Sequence, residues 1–300
     1  MVRQLASVGF VVVSLAASGC ANTWDTLTSR RFRNEPLTTM GKMVNPEDPM
    51  TVLRNPHRDG DEKAKAMRRL KEPLRANGSQ QDQDEAIDIL GRAATADPSP
   101  VLRLAAIEAL GRFDDPRAAN ALMYAYQNAH GRPANAPAPE PEIQQAAAGA
   151  KRTPTERFSL TGPTGFSPET VAVIRCRSLE SLGKTNKPDA AKFLATVATE
   201  PPPAQEAADE REVRLAAVRG LTKCRQPESV VALAHVLSKE VGKDTAIVGR
   251  AHDGLVSLTG KKLPPDPVQW NQVVQAGVTI APEPTWTENA VQTAAGWVKP

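Results

Sequence analysis

At 300 residues, with 40% hydrophobic and 24% charged side chains, the chain is long enough for one elongated domain or two subdomains. Its 37 basic and 34 acidic residues leave a formal charge of only +3, with no concentrated block of Lys and Arg. The aromatic residues, 4% of the chain, are not interleaved with basic ones, so nucleic-acid binding is unsupported.

Residues 1–19 read as a signal peptide. Arg3 is the positive flank, and residues 5–17 form an apolar run of 13, too short for a membrane span. Ala17-Ser18-Gly19-Cys20 follows and resembles the bacterial lipobox, with Leu15 one place further from Cys20 than the usual lipobox leucine. The resemblance implies cleavage before Cys20 and lipidation of its thiol. Acyl chains would then tether the protein to a bilayer, each buried methylene adding about 0.8 kcal/mol. The plainer alternative is an ordinary secretory signal in which Cys20 is incidental. Ala21 in place of Asp after the cysteine points, by resemblance to enterobacterial sorting, to the outer membrane.

Residues 20–49 form a polar tether. Trp24-Asp25-Thr26-Leu27-Thr28-Ser29-Arg30-Arg31-Phe32 brings two aromatics into an aromatic-poor chain. It reads as a short helix resting on the first helical hairpin, as a segment near the membrane with arginines facing anionic headgroups, or as a solvated linker. The stretch is similar to the start of envelope lipoproteins that carry helical repeats.

The organising pattern lies at residues 100–122. Val101, Leu104, Ala105, Ile107, Ala109 and Leu110 give an apolar stripe at helical spacing. Gly111 ends that helix, and Asp114-Asp115-Pro116 turns into a second one carrying Ala118, Ala119, Ala121 and Leu122. A shift of 72 positions places Arg175, Leu182, Gly183 and Pro188 on Arg103, Leu110, Gly111 and Pro116. A further 39 positions bring Arg214, Leu221 and Pro227 to the same slots, with Thr222 replacing the glycine. A weaker copy at 61–74 matches Met67 and Leu70 to Ile107 and Leu110. A period of about 40 residues predicts an all-α, right-handed α-solenoid of four to five hairpins, because one hairpin cannot cover its own apolar face. The pattern R-x-x-A-[IV]-x-x-L-G, then a short turn and Pro, resembles HEAT repeats, most of all the phycobilisome-lyase type. That resemblance covers roughly residues 61–272 and implies a binding scaffold without naming its partner.

The spacing also locates an insertion. The step of 72 exceeds the step of 39 by 33 residues, which fall in 129–167 between a first repeat block at 50–128 and a second at 168–276. Pro133, Pro137, Pro139 and Pro141 exclude regular helix there and predict a surface loop. At its end Phe158, Leu160 and Phe166 lie around tight turns and are expected to dock on the array, either as a contact site for a protein partner or as local packing over a hairpin edge. Further on, Pro201-Pro202-Pro203 ends a helix, and Asp266-Pro267 starts one whose Trp270 is expected to cap the core. In the final segment, 277–300, Trp286, Ala290, Thr293 and Trp297 share one helical face, folded back or free for a partner.

No catalytic constellation is legible. The chain has no His-x-x-x-His or Cys-x-x-Cys metal pair, nucleophile elbow, Walker loop or dinucleotide fingerprint, so no metal or cofactor is expected. Cys176 and Cys224 fall at unlike repeat positions and read as small buried hydrophobes instead of a disulfide. Arg103, Arg175 and Arg214 recur at one repeat position with Asp97, Glu169 and Asp209 a few residues before them. They read as an inter-repeat ladder on carboxylates or helix-end carbonyls, the rival being a basic stripe for an anionic ligand. Together these readings predict a non-enzymatic, envelope-anchored scaffold or adaptor for a protein partner. The rivals are an accessory or lyase-like role, implied by analogy with bilin-lyase repeats, and a purely structural envelope tether.

Overall fold

The computed structural model describes residues 47–130, 161–162, 165–200 and 210–283. The described residues up to Arg54 fall in one compact unit and those from Asn55 onward in a second. In the first, helix α1 (Pro49–Arg54) buries Met50, Val52 and Leu53, and Asp48 Oδ2 accepts the Thr51 amide at its start.

The second unit is an α-solenoid. Its helices alternate between two layers. The first holds α2 (Gly60–Arg69), α4 (Pro100–Leu110), α6 (Pro168–Lys184), α8 (Glu210–Lys223) and α10 (Thr245–Thr259). The second holds α3 (Gln80–Ala96), α5 (Pro116–Gln127), α7 (Pro188–Thr199), α9 (Pro227–Glu240) and α11 (Pro267–Gln275). Successive first-layer helices pack on one another, and each second-layer helix also packs on the first-layer helix of the next hairpin. Five hairpins are thus present among the described residues. The contacts between hairpins exceed those within them, which is why the unit needs the whole stack.

The chain punctuates these helices in a uniform way. Proline opens α4, α5, α6, α7, α9 and α11, where its missing N–H costs nothing. Asp115, Ser167, Asp244 and Asp266 accept the first free amides as N-caps. Gly260 ends α10 in the left-handed conformation at φ 70°, a backbone state that suits glycine.

The equivalent leucines Leu110, Leu182 and Leu221 all lie in the core, as do Met67 and Leu70 of the weaker copy. The first hairpin departs from the sequence pattern. After Leu70 the chain makes a 3₁₀ turn at Leu74–Ala76 and passes through Asn77 at φ 62°, leaving Leu74 exposed. Its second helix starts only at the Ser79–Asp82 capping box, and α3 then buries Ala86, Ile87, Leu90, Ala93 and Ala94.

First-layer helices approach at backbone distance. A Cβ on Gly183 would sit 2.2 Å from the Gly220 carbonyl oxygen, and one on Gly111 2.8 Å from the Ser181 Cβ. At the far end, Trp270 is fully buried, donates to the Pro264 carbonyl at 2.9 Å and meets His252 edge-on. The segment beyond α11 returns, with the Ala281 amide bonded to the Leu258 carbonyl at 2.8 Å.

Candidate functional site

The recurring arginine position sits where second-layer helices end. Arg103 is fully buried on α4, yet its side chain makes no ion pair among the described residues. Its Nε donates to the Asp97 carbonyl at 2.7 Å and its Nη1 to the Asn128 carbonyl at 2.8 Å. These are the residues closing α3 and α5, so the cation bridges the negative ends of two successive helices. The Phe166 ring covers the guanidinium at 5.0 Å. Burial holds this guanidinium below its ordinary pKa, against the opposing pull of the Asp97 charge.

Arg214 repeats the geometry at the ends of α7 and α9 with one change. Its Nε donates to the Ala198 carbonyl at 3.3 Å, and its Nη2 meets Glu240 Oε1 at 2.6 Å. Arg175 lies between them in sequence. Its guanidinium stands 5.4 Å from the Tyr126 ring centre, and its Nη2 is 3.2 Å from His130 Nε2. Of the acids preceding these arginines, Asp97 engages Arg103 through its main-chain carbonyl, and Glu169 bonds at the start of its own helix, which lowers its pKa. Asp209 lies outside the described residues.

The insertion leaves and re-enters at the end of α5. There β1 (Thr161–Gly162) pairs antiparallel with β2 (Gly165–Phe166), and the Phe166 amide donates to the His130 carbonyl at 3.1 Å. Gly165, at φ 128°, passes so close to that carbonyl that a Cβ would lie 2.3 Å from it. Phe166 is therefore seated over Arg103 and half-buried. Phe158, Leu160 and Cys20 lie outside the described residues. In the second layer α7 packs closely on α9, whereas α5 and α7 meet through the edge-to-face pair of Tyr126 and Phe193, 5.5 Å between ring centres.

Several polar links between repeats carried no sequence signal. Asp114, in the turn of the second hairpin, binds Arg75 of the first at 2.8 Å and Lys187 of the third at 2.7 Å. The hydrogen bond from Lys187 is the largest cause of the lowered Asp114 pKa. Glu72, buried in the first turn, accepts from the Asp114 amide at 3.0 Å and from Gln83 at 3.0 Å. Arg112 donates to the carbonyls of Met67 and Arg68, closing α2. Gln226 reaches the Asn186 carbonyl at 2.8 Å. Apart from Glu72–Gln83, 11 positions apart within the first hairpin, these contacts join residues 39 to 73 positions apart, beyond the reach of any local pattern.

Among the described residues no group of three or more His, Cys, Asp or Glu is placed to hold a metal ion. Cys224 is buried, as expected of a small hydrophobe, and that burial pushes its thiol up, whereas Cys176 is only half-buried. A shallow groove of about 370 Å³ runs between α7 and α9, lined by Lys192, Thr196, Glu228, Val231 and His235 among others. Among the described residues no helix is long and apolar enough to cross a membrane.

Residues 50–138 match the family model of HEAT repeats. The match covers α1 and the first two hairpins, and the remaining three continue the same two-layer packing. No curated protein and no solved structure matches the chain.

Proposed function

We propose that this chain is a non-enzymatic scaffold or adaptor, held at a bacterial cell envelope through lipid on Cys20, that binds a protein partner through its helical-repeat surface. The observation that carries the reading is the uninterrupted stack of five hairpins, HEAT-like by its match over residues 50–138. Such arrays present a large preorganised surface, so little ordering entropy opposes association. Arg103 and Arg214 are spent on helix ends, Arg175 on Tyr126 and His130, and Glu72 on the turn of the next hairpin. The outer faces are left to carry recognition. Phe166, with Phe158 and Leu160 just before it in the chain, marks the insertion as the first contact site to test.

The test is crosslinking mass spectrometry on intact cells carrying the full chain, followed by replacement of residues 131–160 with a short Gly-Ser linker. A partner recovered with reproducible crosslinks to the repeats, and weakened by the replacement, is the expected outcome. Recovery of no partner overturns the scaffold reading. A replacement that leaves the crosslinks intact removes the insertion from the site. In parallel, Cys20→Ser is expected to release the chain from the membrane fraction.

A further inference from the structure

The outward face where α6 meets α8 gathers four cations around one carboxylate. Glu180 receives Arg177 of its own helix and Arg219 of the next, each at 3.3 Å. Lys184 and Lys223, both exposed, end the same two helices and occupy the same repeat position, 39 apart. Neither has a hydrogen bond or salt bridge among the described residues. At the corresponding place in the second hairpin stands Arg112, whose guanidinium is consumed by two carbonyls of α2. The third and fourth hairpins thus keep free the cations that the second spends on its own structure.

The charges that act on Lys223 are Glu180 on one side and Lys184, Arg177 and Arg219 on the other, so the cluster carries a surplus of three positive charges. Although the Lys223 side chain is exposed overall, partial loss of water around its ammonium lowers its pKa, and the three cations add to this against Glu180. A chain-wide charge of only +3 hides this concentration, because the negative charges balancing it lie elsewhere. Glu180 also shows what fits: a carboxylate set between two guanidinium groups on adjacent helices.

We propose that the surface formed by Arg177, Lys184, Arg219 and Lys223 is a docking site for an acidic segment of the protein partner, whose carboxylates pair with the two unengaged lysines and share the two arginines with Glu180. This rests on the scaffold reading above and adds to it the chemistry of the partner and the face it meets.

Fluorescence anisotropy of the full chain with a labelled octaglutamate peptide tests it. Binding is expected at low ionic strength and should weaken as salt shortens the Debye length from about 30 Å to about 8 Å. The double variant Lys184→Gln, Lys223→Gln should lose about tenfold in affinity. Lys261→Gln, Lys262→Gln, beyond α10, should bind like the parent. Absence of peptide binding, or equal loss in both double variants, overturns the proposal. So does a chain that ignores the peptide but floats with equimolar phosphatidylcholine–phosphatidylglycerol vesicles through these lysines, which would assign the patch to lipid. Circular dichroism of the variants separates loss of binding from loss of fold. If the cellular partner is still crosslinked by the Lys184, Lys223 variant at parental yield, this docking site fails while the scaffold reading stands.

Discussion

On the N-terminal side of the insertion, Arg103 lies fully buried with main-chain carbonyls and an aromatic ring for company. On the C-terminal side, Arg214 occupies the same repeat position and is bonded to Glu240, itself buried. The difference is instructive because the helical framework is the same. In both places a guanidinium meets the ends of two second-layer helices, whose carbonyls carry partial negative charge. At Arg103 those dipoles and the Phe166 face compensate the cation together with the Asp97 charge, with no carboxylate bonded to it among the described residues. At Arg214 a full carboxylate takes one of the two roles, and with it comes a second buried charge that depends on the first.

That dependence sets the largest expected effect. Arg214→Met should cost about 3 kcal/mol, because Glu240 is left buried without its cation. Arg103→Met should cost about 1–2 kcal/mol, since it strands carbonyls and no acid. Urea unfolding with an unchanged m-value measures both. Adding Glu240→Leu should return most of the Arg214→Met loss. If Arg103→Met proves the costlier, or the second substitution returns nothing, the carboxylate is not what distinguishes the two sides.

The close approach of first-layer helices offers the next contrast. Across the insertion, Gly111 faces the Ser181 side chain and backbone, whereas beyond it Gly183 faces the Gly220 carbonyl oxygen, 2.2 Å from where a Cβ would stand. Both neighbours are fixed to helix backbone, but the gap at Gly183 is the tighter, 2.2 Å against 2.8 Å at Gly111. Gly183→Ala should therefore lose about 2–3 kcal/mol and Gly111→Ala less. Gly249, on the exposed side of α10 with nothing within 4 Å, gives the control. Gly249→Ala should stabilise by about 0.5–1 kcal/mol through helix propensity alone. A loss at Gly249 as large as that at Gly183 would show that close packing is not the cause.

A smaller effect isolates the aromatic contribution. Phe166→Ala removes the ring over Arg103 and should cost about 1 kcal/mol. Nothing comparable covers Arg214 among the described residues, so the same variant should leave hydrogen-exchange protection in α8 and α9 unchanged while lowering it in α4 and α5. Uniform loss across both sides would mean that the β1–β2 turn supports the stack by some route other than Arg103.

Much of this architecture was legible because its signals are local. Leu110, Leu182 and Leu221 recur on apolar stripes, proline marks helix starts, and Asp266-Pro267 with Trp270 announces the final helix. The second helix of the first hairpin, α3, was not marked. Its core side chains are largely alanine among Gln and Asp, and its start depends on a Ser79–Asp82 capping box displaced by a longer turn. The recurrence of Arg103, Arg175 and Arg214 was visible and helix-end carbonyls were one of the two partners expected, but side-chain identity could not choose between them and carboxylates. The Arg75–Asp114–Lys187 rung and the Glu180 cluster unite residues from different hairpins, and only the stacking of those hairpins brings them together.

Acid supplies the finest test of the two sides. Asp115 before the insertion and Asp244 after it are both N-caps, and each is drawn down from 3.8 to about 2. For Asp115 the largest cause is the hydrogen bond from Arg117, two residues away on the helix it caps; for Asp244 it is Arg211, a hairpin earlier. The folded value lies below the unfolded one, so each ionised cap favours the folded state at neutral pH. That contribution is complete above the unfolded pKa and is lost as pH falls from about 4 through about 2. Asp115→Asn and Asp244→Asn should each flatten part of the stability decline over that interval. Asp115 also accepts from Gln83 of α3 at 3.3 Å and Arg117 pairs with Asp84 of α3 at 2.7 Å, so Asp115→Asn should alter exchange protection in α5 and α3. Because Arg211 reaches across hairpins, Asp244→Asn should loosen α8 together with α10. An Asp244 variant whose effect stops at α10 would reduce that inter-hairpin pair to a surface contact without structural consequence.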